Sequence, residues 1–229
     1  MLTTGPRATK LVIFDCDGVL VDSEALSIRV LAETMRGLGF HMTQAECYRE
    51  FLGRSLTSVT SILRDKLGRT LTESELVKMR ERLYELYRLE LKPVAGIEGA
   101  LGALGIPFCV ASSSQPDRIR LSLDLTGLAG FFGEHVFSAT MVANGKPAPD
   151  LFLHAALSMG QAPQDCVVIE DSPAGIEAAS RADMRSFAFL GGSHAEAASL
   201  REAVAPLRPC RIFERMEELP QLLAQLEED

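Results

Sequence analysis

The sequence has no long apolar run, no excess of positive charge and no paired-cysteine motif, and each absence removes a class of protein. Its uninterrupted apolar stretches are as short as Leu11-Val12-Ile13-Phe14, whereas a membrane span needs about 20 apolar residues and an export signal about 7 to 15. Neither a membrane partner nor export is expected. Lys and Arg number 23 against 31 Asp and Glu, a formal charge of -8, so the net field repels polyanions and nucleic acid is not an expected partner. The 5 cysteines, at 16, 47, 109, 166 and 210, include no Cys-x-x-Cys and no His at zinc-ligand spacing. A disulfide or zinc framework is therefore not expected, and four of them lie in or beside apolar runs as small hydrophobes, which points to a cytoplasmic protein.

What is present is ordinary globular material: 229 residues, 47% hydrophobic and 24% charged, enough for one large domain or a core with a smaller insert. Leu11–Phe14 is too short and too uniformly apolar for a helix, and it stops at Asp15-Cys16-Asp17-Gly18, which predicts a strand buried on both faces. Amphipathic helical pattern then occupies residues near 23–38, 44–51, 55–67 and 73–90, with Gly39, Gly53 and Gly68 as punctuation. After Lys92-Pro93, short apolar runs at 108–111, 136–138, 166–169, 187–190 and 211–213 alternate with helical stretches. Such alternation predicts an α/β parallel sheet. The expected organisation is a Rossmann-like core of residues 1–21 and 92–229, interrupted by a small all-helical insert at 22–91.

Ligands of open parallel sheets bind beyond the carboxyl ends of the strands, and here those ends are polar: Asp15 and Asp17, then Ser112-Ser113-Ser114, then Glu170-Asp171. Converging carboxylates repel one another and need a cation. Oxygen ligands without thiolate or imidazole suit Mg²⁺ shared with a phosphate, and Lys146 and Ser112 are placed to bind further phosphate oxygens. Asp15 then becomes a candidate nucleophile toward phosphorus. Asp17 is a candidate proton carrier, and to donate a proton its pKa should lie above the reference of about 3.9.

These residues resemble the motifs of the haloacid dehalogenase (HAD) superfamily of phosphohydrolases. Asp15-Cys16-Asp17-Gly18-Val19-Leu20-Val21-Asp22-Ser23-Glu24 is similar to its first motif, Val110-Ala111-Ser112 to its second, Lys146-Pro147-Ala148-Pro149-Asp150 to its third, and Ile169-Glu170-Asp171-Ser172-Pro173-Ala174-Gly175-Ile176 to its fourth. The helical insert resembles the small cap of the β-phosphoglucomutase-like subgroup. The resemblance implies the HAD fold, with the first strand between the runs ending at Ser112 and at Asp171. It further implies that Asp15 is the nucleophile and that Asp17 is the general acid and then the base. Mg²⁺ would be held by the Asp15 carboxylate, the Asp17 backbone carbonyl, Asp171 and Glu170. Ser112 and Lys146 would hold the phosphoryl group, helped by backbone N–H groups of Cys16, Asp17 and Ser113. The second aspartate disfavours dehalogenation. Two departures disfavour a mutase: Ser27 stands where mutases carry His, and Leu52-Gly53-Arg54-Ser55-Leu56 displaces the basic residue of their cap loop. Gly53 and Arg54 remain candidate substrate contacts, Arg54 toward a second anionic group.

The expectation is a Mg²⁺-dependent phosphomonoesterase acting on a small phosphorylated metabolite, a sugar phosphate, through an aspartyl-phosphate, with a monomer favoured. Its rivals are a sugar-phosphate mutase and a non-catalytic metabolite-sensing module. Four further features read as structural. Gly96, Gly99, Gly102 and Gly105 suggest close helix packing rather than a dinucleotide loop. Glu170-Asp171 also precede a plausible helix start at Ser172-Pro173. His41, His135, His154 and His194 form no ligand cluster, and His194, which follows a strand-like run, reads either as an edge of the pocket or, the favoured reading, as a solvated loop residue. Arg80, Arg82 and Arg88 alternate with acids on a solvent face.

Overall fold

The structure, a computed structural model, describes residues 8–51 and 56–226. Six parallel strands form one sheet: β1 (Leu11–Phe14), β2 (Phe108–Ser112), β3 (Val136–Ser138), β4 (Cys166–Glu170), β5 (Arg185–Phe189) and β6 (Arg211–Phe213), in the order β3-β2-β1-β4-β5-β6. The first strand is thus central, paired with β2 on one side and β4 on the other. Four helices follow β1: α1 (Glu24–Gly37), α2 (Gln44–Phe51), α3 (Leu56–Leu67) and α4 (Glu73–Glu90). The remainder are α5 (Ile97–Ala103), α6 (Pro116–Leu125), α7 (Ala129–Phe132), α8 (Asp150–Ser158), α9 (Pro173–Arg181), α10 (Leu200–Val204) and α11 (Leu219–Gln225).

The period of two along β1 shows why its residues are all apolar. Val12 and Phe14 pack on one face with Val110, Val167 and Ile169 beneath α5, α6 and α11, whereas Leu11 and Ile13 pack on the other with Cys109 and Val168 against α8 and α9. Covering both faces leaves the strand ends as the polar surface of the sheet. Helices α1 to α4 carry apolar clusters of their own around Ile28, Leu31, Met35, Tyr48 and Leu63 and around Leu26, Val30, Leu86 and Tyr87. Two of them begin with reciprocal caps. Thr43 and Glu46 satisfy each other's backbone N–H at the start of α2, as Thr72 and Glu75 do at the start of α4.

Of the glycine series, only Gly96 serves close packing: its φ is 79° and a Cβ there would strike the Glu217 side chain. Gly99, Gly102 and Gly105 are exposed, and a Cβ at any of them meets nothing within 4 Å. The reason is that α5 buries Ile97, Ala100 and Leu101, a stripe of spacing three and four that leaves Gly99 and Gly102 on the opposite side, and Gly105 lies beyond the end of the helix. Among the described residues no helix is long and apolar enough to cross a membrane.

Candidate active site

The ends of β1, β2 and β4 bring Asp15, Ser112 and Glu170-Asp171 to one rim, and the loop before α8 delivers Lys146 to the same place. Lys146 Nζ donates to Asp15 Oδ1 at 2.6 Å, to Glu170 Oε1 at 2.8 Å and to the Ala111 carbonyl at 3.0 Å, and its side chain is 1% exposed. It is not the solvated Lys that composition alone would favour. Glu170 Oε2 accepts the N–H groups of Asp171 and Ser172 and the Ser172 hydroxyl. The helix cap is Ser172, whose hydroxyl accepts from Gly175 N–H at 3.1 Å, with Pro173 in the first turn. Capping and the acidic pair therefore coexist, one residue apart.

Asp15, Glu170 and Asp171 each present a carboxylate oxygen within 4.8 Å of the others, all buried. Burial raises the Asp15 carboxyl well above its ordinary range. Lys146 opposes that rise, and Glu170, Asp171 and Asp17 add to it. Burial likewise raises Asp171, with Glu170 adding and Lys146 opposing. One ammonium faces three carboxyls, and Asp171 Oδ2 is buried without an aligned hydrogen bond, although His194 Nε2 lies 2.9 Å away. Hard oxygen donors, surplus negative charge and an oxygen free of such a bond together fit a divalent cation such as Mg²⁺. Close approach of the backbone is also required: at Gly18, where φ is 80°, a Cβ would strike Asp171 Oδ2.

Asp17 lies on the other side of the rim and points away from this cluster. Its Oδ1 accepts from Arg118 at 2.8 Å and from the Ser23 hydroxyl at 2.6 Å, and its Oδ2 accepts from the Ser114 hydroxyl at 2.6 Å. Burial pushes the Asp17 carboxyl up, but the Arg118 charge, with hydrogen bonds from Ser114, Ser23 and Arg118, outweighs it and holds the group below its ordinary value. The raised pKa expected from sequence is thereby corrected: a guanidinium absent from the four motifs reverses the sign. Arg118 also donates to Ser27 Oγ at 3.0 Å and lies 5.5 Å over the Tyr87 ring, linking α6 to α1 and α4. Pro116 is the signal that was available, because it starts α6 and so places Arg118 in the first turn, beside the end of β2.

Among the remaining expected residues, Cys16 is buried, and burial followed by Asp17 and Asp15 raises its thiol well above the usual value. Only its backbone is left to act. The N–H groups of Cys16, Asp17 and Ser113 donate to no protein acceptor among the described residues. Together they form a rim of free donors suited to an anion. Ser112 is buried, and its hydroxyl accepts from Ser114 N–H at 3.1 Å. Gly53 and Arg54 lie outside the described residues. His194 is corrected: it is 1% exposed, its Nε2 sits 2.9 Å from Asp171 Oδ2, and its ring stacks on Tyr48. Burial, opposed by Glu24 and Asp22, lowers its pKa, so it abuts the acidic pair as a neutral ring.

A cavity of about 110 Å³ opens from this rim. Asp15, Asp17, Ser112, Ser113, Lys146 and Arg118 line its floor. Glu24, Ser27, Ile28, Leu31, Met79 and Leu83 of α1 and α4 line the side contributed by the segment after β1. Glu24 is buried, and burial, with Asp17 and Asp171 nearby, pushes its carboxyl up to about 8.

The chain is similar in sequence and fold to known proteins. The 6-phosphogluconate phosphatase of Escherichia coli is 30% identical over 184 residues, covering 80% of this chain and 83% of that protein. A haloacid dehalogenase-like protein of unknown function from Agrobacterium tumefaciens superposes with a TM-score of 0.82 at 32% identity, covering 96% of this chain and 99% of that one. A HAD family hydrolase from Deinococcus radiodurans, solved with bound phosphate and sodium, does so with a TM-score of 0.74 at 31% identity, covering 96% and 97%. The haloacid dehalogenase-like hydrolase family matches residues 9–183, so the chain belongs to that family.

Proposed function

We propose that the protein is a Mg²⁺-dependent phosphomonoesterase of small phosphorylated metabolites, sugar phosphates among them. The observation that carries this reading is the meeting of the Asp15 carboxylate with Lys146 and with the free N–H groups of Cys16, Asp17 and Ser113 at one rim. An anion held by those donors lies against a carboxylate. Two relatives support the reading, one named for 6-phosphogluconate and one solved with phosphate.

Asp15, Glu170, Asp171 and the Asp17 carbonyl would hold the metal, which when bound supplies the positive charge that lets a carboxylate approach a phosphate dianion. Asp15 attacks phosphorus and the ester oxygen leaves, giving an aspartyl-phosphate and the alcohol. Ser112, Lys146 and the three amides hold the transferred group. Asp17 manages the protons. Its resting carboxylate is suited to accept a proton from water in the second step. In the first step the entering dianion adds like charge beside Asp17 and raises its pKa, so that it can protonate the leaving oxygen. Residues 22–91 act as a cap over the cleft, the segment from which Glu24, Ser27, Ile28, Leu31 and Leu83 face the substrate.

The test is phosphate release from a panel of sugar phosphates and acidic sugar phosphates with Mg²⁺, with sugar isomers assayed in parallel. Release abolished by Asp15→Asn is the expected result. Isomer formation without release would show a mutase, and metabolite binding with neither product would show a sensing module.

A further inference from the structure

Glu24 stands apart from the other carboxyls of the cavity. Asp15 and Glu170 are held by Lys146, and Asp17 by Arg118, Ser23 and Ser114. Glu24 is 7% exposed and lines the same cavity, yet no hydrogen bond or ion pair from a described residue reaches its carboxyl. Its carboxyl oxygens open into the cavity instead of being sealed from it, so a ligand that displaces the cavity's water has to offer them a hydrogen bond in its place.

Helix α1 shows which part of a ligand that is. Glu24, Ser27, Ile28 and Leu31 recur at helical spacing and all face the cavity. The Ser27 hydroxyl is already committed, donating to the Ser23 carbonyl and accepting from Arg118. Ile28 and Leu31 offer only apolar surface. Along this helix Glu24 is the polar group left for the substrate, and it directly follows Ser23, whose hydroxyl donates to Asp17. A second anion would be repelled there by Asp17. A hydroxyl can donate to a carboxylate or accept from a carboxylic acid, so it complements Glu24 in either protonation state.

We propose that Glu24 reads a hydroxyl of the leaving alcohol close to the phosphorylated carbon, selecting phosphate esters of polyhydroxylated alcohols over their deoxy analogues. This inference rests on the phosphatase reading above. Glu24 is then a specificity residue, and the apolar side chains one turn further along α1 accommodate the rest of the alcohol.

The experiment compares kcat/KM for sorbitol 6-phosphate and its 5-deoxy and 4-deoxy analogues in the wild type, Glu24→Ala and Glu24→Gln. Calorimetric affinities for the same esters are measured in an Asp15→Asn background. The wild type should prefer the full hexitol ester over one deoxy analogue by about tenfold or more, as a site built around a hydroxyl does. Glu24→Ala should bring that ratio close to one, chiefly by raising KM for the full hexitol ester. Glu24→Gln, whose amide also donates and accepts, should keep part of it. The melting temperature of Glu24→Ala should not fall, because the residue removed has no protein partner. A preference intact in Glu24→Ala, a uniform loss of kcat on all esters, or a lowered melting temperature would each overturn the assignment. Phosphate release from none of these esters or from p-nitrophenyl phosphate would bring down the phosphatase reading and the assignment with it. Release with no deoxy discrimination in the wild type would sink the assignment alone.

Discussion

Replacing Lys146 by methionine keeps most of the side-chain volume, including its packing over the Phe152 ring, and deletes the charge that holds Asp15 and Glu170. Breaking a buried ion pair by removing one partner costs about 3–5 kcal/mol. Here the lower end applies, because Asp15 and Asp171, whose carboxyls already sit high, can take up a proton in place of the lost ammonium. For a chain of this size, about 2–4 °C per kcal/mol converts a loss of ~3 kcal/mol into a fall of about 6–12 °C in melting temperature. The pH dependence has a definite sign. A carboxyl raised in the folded state supports folding below its unfolded pKa and loses that support as pH rises through the folded value. Without Lys146 the two carboxyls rise further, so the deficit should widen from acidic toward neutral pH. The assay is far-UV circular dichroism in chelator from acidic to neutral pH, chosen because the chain has 0 Trp for a fluorescence signal. A divalent cation that binds only the folded state should recover part of the loss. A variant that melts with the wild type at neutral pH, or a deficit that does not shrink on acidification, would show that Lys146 does not balance this cluster.

Arg118→Met removes the charge that holds Asp17 low, so the limb of the pH–rate profile that reports Asp17 should move to higher pH; superimposable profiles would exclude that role. Gly18→Ala puts a Cβ into Asp171 Oδ2 at a backbone φ of 80°. The left-handed backbone alone costs about 1–2 kcal/mol, and calorimetry should show weakened divalent-cation binding, with unchanged affinity refuting the clash. Chelation should abolish phosphate release and Mg²⁺ restore it; release that persists in chelator would exclude the metal. Thr72→Ala deletes half of the reciprocal cap at α4 and should cost about 1 kcal/mol of stability without changing kcat, as chemical denaturation and initial rates would show.

The strands and the helices after β1 were legible because their signals are local. A four-residue apolar run ending in Asp can be little other than a buried strand, and its carboxyl end is where ligands meet such a sheet. The environment of Asp17 was not legible in that way. Its pKa depends on Arg118, a residue 101 positions away, whose burial arises only when α6 meets α1 and α4; Pro116 marks where α6 starts, but the helical pattern does not show that the arginine is buried against Asp17. His194 failed for the same reason. A histidine in a glycine-rich loop looks solvated until the chain folds over the acidic pair. Glu24 was visible as part of the first motif, but its lack of a partner is a property of three-dimensional packing alone.

The link from Arg118 to Ser27 and Tyr87 bears on how this protein can be rebuilt. Asp15 and the acidic pair sit at the strand ends of the sheet, while Glu24, Ser27, Ile28 and Leu31 line the cavity from the segment after β1, so on the proposed reading selectivity and reactivity occupy separate stretches of sequence. Transplanting a foreign helical segment would be a natural route to a new substrate. Yet Arg118 on the sheet side touches Asp17 with the same nitrogen that touches Ser27 on the helical side. A graft that omits Ser27 and Tyr87 would change the partners of the very guanidinium that sets Asp17, and would alter the proton chemistry of a core whose own sequence had been left intact.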